Sequence, residues 1–283
     1  MTTDERDGGQ DGGTYGSNAA AEGWRRGAAD RAQDLGPITE RMLDLAGTEP
    51  GHRVLDVAAG TGEQTLMAAR RVGPNGFVLA TDIADRMLAY LSEAAREAGL
   101  AKVETRVIDA RQFDLEPESF DAAICRLALM LIPEREKALA GIRRALKPGK
   151  KFAVVVMPTA EKLSHIAASL DIARRHAGLP PAPFEDPGMF ALGDPAVLRA
   201  AFERAGFREV AIEAVASEQR FPSLAAAMEQ RRNTLPEMQP YLAGLSDAER
   251  AAVWDEIEQF MRRFERAAGV VVPHERLLGV GTK

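Results

Sequence analysis

The chain has 283 residues, 46% of them hydrophobic, which can fill the core of one large domain with additions. Thirty-six Lys and Arg against 42 Asp and Glu leave a formal charge of -6, so no basic field invites nucleic acid or an anionic membrane, and neither partner is expected. A single cysteine, Cys125, excludes an internal disulfide framework and a zinc site built from several thiolates, and is read as a small buried hydrophobe.

The first residues, "MTTDERDGGQDGGTYG", are acidic and glycine-rich without an apolar h-region, and no run of about 18 apolar residues follows anywhere. The expectation is a cytoplasmic protein with a disordered tail over 1–16. Residues 17–50 read as N-terminal helices, the stretch 21–47 being helical with Trp24, Ile38, Met42 and Leu43 as apolar anchors. From there to 283 the pattern predicts one core with insertions at 158–192 and 220–268. Strands are predicted over 53–57, 77–81, 103–108, 120–125 and 151–157, alternating with helices over 64–72, 84–98 and 134–146. Breakers stand at "GPNG" (73–76) and "KPGK" (147–150). Alternation of this kind predicts a doubly wound α/β fold.

Beyond 157 the alternation fails. A helix is predicted over 160–177 with Leu163, Ile166, Ala167 and Leu170 as its buried stripe, and another over 195–205. A strand over 208–215 precedes a helical insertion whose strongest part opens on Ser246 and Glu249 as a capping box and carries Val253, Ile257, Phe260, Met261 and Phe264 on one face. "LLGVGTK" reads as the last strand.

Ligands of open parallel sheets bind beyond the carboxyl ends of the strands. Here the first strand carries Asp56 just before the turn "AAGTG", and Asp82 and Asp109 close the second and third. Gly60 and Gly62 are followed by Thr65 where a dinucleotide fingerprint needs its third glycine, and no GK[ST] follows for a P-loop. Any one of these carboxylates could simply cap a helix; in this order with the glycine turn they point to a cofactor site.

The ordered set "VLDVAAGTG", "ATDIADRML", "VIDARQF", "FDAAICRLALM" and "RRALKPG" resembles the class I S-adenosylmethionine-dependent methyltransferases, in particular the small-molecule group, clearly over 24–157 and more loosely beyond. The resemblance implies a Rossmann-like seven-stranded mixed sheet, its last strand antiparallel, with helical lid insertions. It also implies S-adenosyl-L-methionine as cofactor. Asp56 would meet the cofactor ammonium. Gly60, Thr61 and Gly62 would bring backbone close to its methionine part, and a side chain at either glycine would occupy its space. Asp82 would accept from both ribose hydroxyls, Ile83 and Met87 would pack on the adenine, Asp109 with Ala110 would read the adenine amino edge, and Arg126 would lie beside the methionine moiety. Ala58 stands where the family often has its first glycine; its methyl removes one conformational freedom. Trp24 and Tyr15 are candidates for covering the site, with core packing the equal alternative for Trp24 and disorder for Tyr15.

Methyl transfer from a sulfonium needs a base only for a poorly ionised acceptor, and no base is named by the sequence. His165 and His176 share a helix face turned away from the Leu163 stripe, which predicts solvent exposure for both unless the helix covers the cleft with its second face. His52 lies away from the cleft and His274 is ambiguous. The N-terminal helices and both insertions would form a lid over the acceptor. Met189, Phe190, Phe221, Trp254 and Phe260 within them favour a small, moderately hydrophobic metabolite, with core packing the alternative for most. Quinone-biosynthesis methyltransferases are relatives by this resemblance, but their Arg-Asn-Val run after the fourth strand is "CRLALM" here, which lowers the quinone assignment, puts O- or N-methylation of a metabolite level with it, and leaves O-, N- and C-methylation open. A binding protein that holds the cofactor without turnover, as regulator or scaffold, is the alternative, and homodimerisation is left open.

Overall fold

The short apolar runs of the first half become parallel strands. In the computed structural model, which describes residues 18–180, 185–234 and 236–283, these are β1 (Arg53–Val57), β2 (Phe77–Asp82), β3 (Val103–Val107), β4 (Phe120–Arg126) and β5 (Leu146–Val156). The expected tail over 1–16, with Tyr15, lies outside the described residues. The sheet order is β3-β2-β1-β4-β5-β8-β6, with β8 (Gly269–Thr282) antiparallel to both β5 and β6 (Arg208–Phe221). An eighth strand, the two-residue β7 (Glu265–Arg266), pairs with the start of β8 outside that seven-strand path. Strand order reverses between β1 and β4, the point where doubly wound sheets open a crevice.

Two helical layers cover the sheet, and strand alternation assigns side chains to each. On one face Val54, Ile124, Val155 and Leu278 pack with Met42 and Leu43 of α2 (Ala28–Leu45) and with Ala68 and Val72 of α3 (Glu63–Val72). On the other, Leu55, Ala123, Cys125 and Val154 pack beneath α5 (Arg135–Ala145) and α7 (Pro195–Arg204), through Leu139, Ile142 and Phe202. Cys125 is fully buried, as a small hydrophobe should be, and burial pushes its thiol up to about 12. α4 (Asp85–Glu97) sits over β2 and β3.

The N-terminal helices expected over 17–50 form as α1 (Asn18–Arg26) and α2, which meet at Gly27. The structure differs from the expected boundaries in two places. "KPGK" turns, but as a bulge inside β5, because Phe120 pairs with Leu146 while Ala122 already pairs with Lys151, and Gly149 takes φ 73° to allow it. β6 and β8 are much longer than predicted, and run on as a two-stranded ribbon past the end of β5 to the pair Phe221 and Val270.

That ribbon carries a second core. Val270 and Val272 pack with Ile172 of α6 (Ser164–His176), Met228 of α8 (Leu224–Thr234), Leu242 of α9 (Gln239–Leu242), and Val253, Ile257 and Met261 of α10 (Asp247–Met261). The Ser246 and Glu249 capping box that starts α10 forms as predicted. α6 follows its expectation in part: of the expected stripe Leu163 is fully buried and Ile166 and Leu170 are half-buried against this core, while the helix also buries His165, Ser169, Ile172 and Ala173. The helix is covered on two sides, one sealed against the ribbon and one lining a cleft, so the apolar stripe named only part of its buried surface. No helix among the described residues is long and apolar enough to cross a membrane.

Candidate functional site

The turn after β1 is built from backbone that most residues avoid. Ala58, Gly60 and Gly62 have φ of 54°, 58° and 91°. For Ala58 this left-handed conformation costs roughly 1–2 kcal/mol, held in place by Ala59, whose N–H donates to Thr81 O at 2.9 Å. A Cβ added at Gly60 would meet only Met87 Sδ, at 3.8 Å, and otherwise face open space. One at Gly62 would strike Leu91 Cγ at 2.3 Å. This corrects the expected reason for the second glycine: Gly62 lets the turn pack against α4, and only Gly60 keeps room above the turn.

Carboxylates at the strand ends hold this turn. Asp82 accepts from Gly60 N–H at Oδ2 and from Ala84 N–H at Oδ1, both at 2.9 Å, so it ties the β1 turn to the start of α4. Burial raises its carboxyl above the usual range against the pull of those N–H groups. Each oxygen retains a second acceptor direction. Asp56 is fully buried, accepts from Thr65 Oγ1 at 2.5 Å and from Gln64 Nε2 at 3.4 Å, and is pushed up to about 7 by burial. Gln64 Nε2 also donates to Ala59 O at 2.9 Å, while its buried Oε1 has no partner among the described residues.

Other residues fall into place unequally. Ile83 is 41% exposed at the mouth while Met87 is buried beneath the turn. Asp109 is engaged by Arg111, accepting from its N–H at 2.9 Å and its Nε–H at 2.8 Å, which holds the carboxyl below the usual range. Ala110 beside it is buried. Thr61 and Arg126 join a network absent from the sequence reading. Glu63 accepts from Arg31 Nη2 at 2.6 Å and from Arg126 Nη2 at 3.0 Å, Arg31 also donates to Thr61 Oγ1, and Arg126 Nη1 donates to Thr39 Oγ1 at 3.1 Å. Burial alone would raise the Glu63 carboxyl, but the two guanidinium groups outweigh it and hold it low. Arg31 also lies over the Trp24 ring, 4.4 Å from its centroid. The only signal for Glu63 was its place after Gly62; for Arg31 and Thr39, on a helix far upstream, there was none.

The histidines overturn the exposure expectation. His165 is buried at 1% exposure against His274, and His176 is part-buried with Nε2 2.9 Å from Glu256. On the other side of α6 a cleft of about 690 Å³ lies beyond β4 and β5, lined among others by Leu131, Thr159, Leu170, Arg174, Met189 and Tyr241.

Residues 48–175 match the family model described as a methyltransferase domain. Over this segment the chain is similar to the methyltransferase domain family. Over 127 residues the chain is 35% identical to the ubiquinone/menaquinone biosynthesis C-methyltransferase UbiE of Pasteurella multocida, covering 44% of this chain and 47% of that one. It is 36% identical over 112 residues to the nocamycin O-methyltransferase of Saccharothrix syringae, covering 40% of each. The alignments thus span under half the length of these curated relatives. The Haemonchus contortus phosphoethanolamine N-methyltransferase 2, solved with S-adenosyl-L-methionine, matches in fold with a TM-score of 0.58 at 18% identity, over 96% of this chain and 58% of that one.

Proposed function

We propose that this chain transfers a methyl group from S-adenosylmethionine to a small-molecule acceptor. The observation that carries the reading is the buried, unpartnered Gln64 Oε1 beside the Asp56 carboxylate, directly under a turn kept open at Gly60. Two oxygen acceptors at the base of a glycine turn fit an amino acid ammonium, and the Arg31 and Arg126 guanidinium groups nearby fit its carboxylate.

Asp56 and Gln64 would hold the ammonium, Arg31 and Arg126 the carboxylate end, and Gly60 with Thr61 the backbone approach. Asp82 would use its remaining acceptor directions for the ribose hydroxyls, Ile83 and Met87 would flank the adenine, and Asp109 with Ala110 its amino edge. When bound, the cofactor supplies an electrophilic methyl on a sulfonium. The protein's share is then to align the acceptor in line with that methyl, where well-oriented reactants gain roughly 7–11 kcal/mol over a bimolecular encounter. The helical layer formed by α6, α8 and α10 would close over the acceptor and exclude water.

Relatives named for C- and O-methylation, and a fold neighbour named for N-methylation, support a metabolite acceptor and leave the accepting atom to the lid. A net charge of -6 supports the same choice over a polynucleotide, and a cytoplasmic location completes the proposal. The test is turnover: the purified chain with S-adenosylmethionine and a broad metabolite panel should yield S-adenosylhomocysteine with at least one acceptor. Binding of S-adenosylmethionine without product across the panel would favour a regulator or scaffold. Absence of binding would overturn the reading.

A further inference from the structure

A polar cluster is sealed inside the helical layer where apolar packing would be the ordinary choice. The rings of His165 on α6 and His274 on β8 stand 4.5 Å apart, and both residues are buried. Arg231 on α8 reaches in and donates from Nη1 to His165 O and Ser169 Oγ, each at 3.0 Å. Arg276, two residues along β8 from His274 and so on the same face, donates to Asp34 of α2 at 2.7 Å and to Ser217 Oγ at 3.2 Å. Phe264 meets His165 edge-on.

The charges do not balance. Asp34 neutralises Arg276. Burial, with Arg231 and Arg276 adding to it, holds His165 down to about 3 and His274 to about 2, so both rings are neutral at physiological pH. Arg231 has no carboxylate at ion-pair distance among the described residues; burial lowers it to about 10, which still leaves it protonated. Among the described residues one buried positive charge is therefore uncompensated, an arrangement that costs stability unless something else supplies the counter-charge. Arg231 Nε, Arg276 Nε, His165 Nε2 and both ring nitrogens of His274 also lack partners among the described residues.

Location ties the cluster to the transfer site. Leu277 pairs with Val156 at the last residue of β5, so residues 274–276 stand just past the carboxyl ends of the strands. α2, which supplies Asp34, also supplies Arg31 and Thr39 to the cofactor turn.

We infer that Arg231, His165 and His274 form the anion subsite of the methyl acceptor, and that the acceptor carries a carboxylate. The inference rests on the methyltransferase reading. A single uncompensated charge matches a monoanion; a phosphate dianion would leave a charge of its own buried. Because the groups are sealed, the acceptor enters as α6 and α8 part from β8, and its carboxylate supplies the missing counter-charge when they close.

The test titrates benzoate, benzamide and phenyl phosphate into the full chain saturated with S-adenosylhomocysteine, by calorimetry. Benzoate should bind at least tenfold more tightly than its neutral isostere benzamide, and more tightly than phenyl phosphate. Arg231→Met should erase the preference and, by removing the uncompensated charge, raise the melting temperature of the unliganded protein. His274→Leu should weaken benzoate at least threefold and leave benzamide unchanged, and it decides the matter if Arg231→Met does not fold. Equal affinity for benzoate and benzamide, tighter phenyl phosphate, or an Arg231→Met protein that keeps the preference would overturn the subsite. So would absence of benzoate binding to a protein that still binds S-adenosylhomocysteine, which leaves the methyltransferase reading standing. Loss of S-adenosylhomocysteine binding by the unaltered chain strikes that reading instead.

Discussion

At the carboxyl ends of β1 and β2 nearly every buried polar group is answered from within the chain: Asp82 by two backbone N–H groups, Asp56 by Thr65 and Gln64, Glu63 by two arginines. Inside the helical layer the opposite holds, with Arg231 lacking a counter-ion and His274 lacking any partner for either nitrogen among the described residues. Both regions are buried, so solvent does not explain the difference. A turn that always receives the same ligand can be preformed, with its acids already oriented. A layer that must open for its ligand leaves the complementary charge to be brought in.

If the two regions are energetically separate, damage to one should spare the other. Ile257 is fully buried in the second core, and Ile257→Ala should destabilise the helical layer by about 2–5 kcal/mol. Affinity for S-adenosylhomocysteine should stay within about twofold of wild type in a calorimetric titration. Loss of binding by a folded variant would show that the layers are one unit.

The glycines sharpen the comparison within the turn itself. Gly62→Ala combines the Leu91 collision with a left-handed backbone and should cost about 2–4 kcal/mol in urea unfolding. Gly60→Ala meets nothing closer than Met87 Sδ, so its main effect should fall on cofactor affinity, with a stability loss nearer 1 kcal/mol. Equal stability losses would contradict the separate roles given to the two positions.

Acid should separate the regions by sign. His165 and His274 are held far below an unfolded value of about 6.5, so the unfolded chain binds protons that the folded one refuses, and stability falls as pH drops below about 6.5. Asp56 is raised to about 7, so between about 4 and 7 the folded chain keeps a proton the unfolded one has released, and its share falls as pH rises. Taken alone these three groups leave a net loss near 1.4 kcal/mol per pH unit on acidification between about 6.5 and 4 in the absence of cofactor, and Asp82, also raised by burial, reduces it. Urea titrations at pH 5 and pH 6.5 measure it. His274→Leu should flatten the dependence and Asp56→Asn should steepen it; the reverse pattern would overturn the assignment.

How legible each region was in the sequence follows the same division. The parallel strands and the acids at their ends were readable because short apolar runs between breakers admit few alternatives, and Asp56, Asp82 and Asp109 each sit at the end of such a run. The Arg31, Thr39, Glu63 and Arg126 network was not, since pairing across distant elements leaves no local pattern. His165 was misread because hydrophobic periodicity identifies an apolar stripe and assumes that the other side meets water, whereas α6 has cover on both. The β6 and β8 extensions were missed because Glu218, Arg220 and Pro273 interrupt the apolar signal in a ribbon that has one face in the second core and one outside it.

In the proposed function the β1 and β2 ends hold S-adenosylmethionine through Asp82, beyond the structural tie that Asp82 already makes to Gly60 and Ala84. A calorimetric titration of S-adenosylhomocysteine into the wild-type chain and Asp82→Ala, with a thermal melt of each, tests it most directly. Hydrogen bonds to a charged group contribute roughly 1.5–3 kcal/mol each, so binding should be at least tenfold weaker in a variant that remains folded. A lowered melting temperature with an unchanged dissociation constant would reduce Asp82 to a structural tie and overturn its cofactor role.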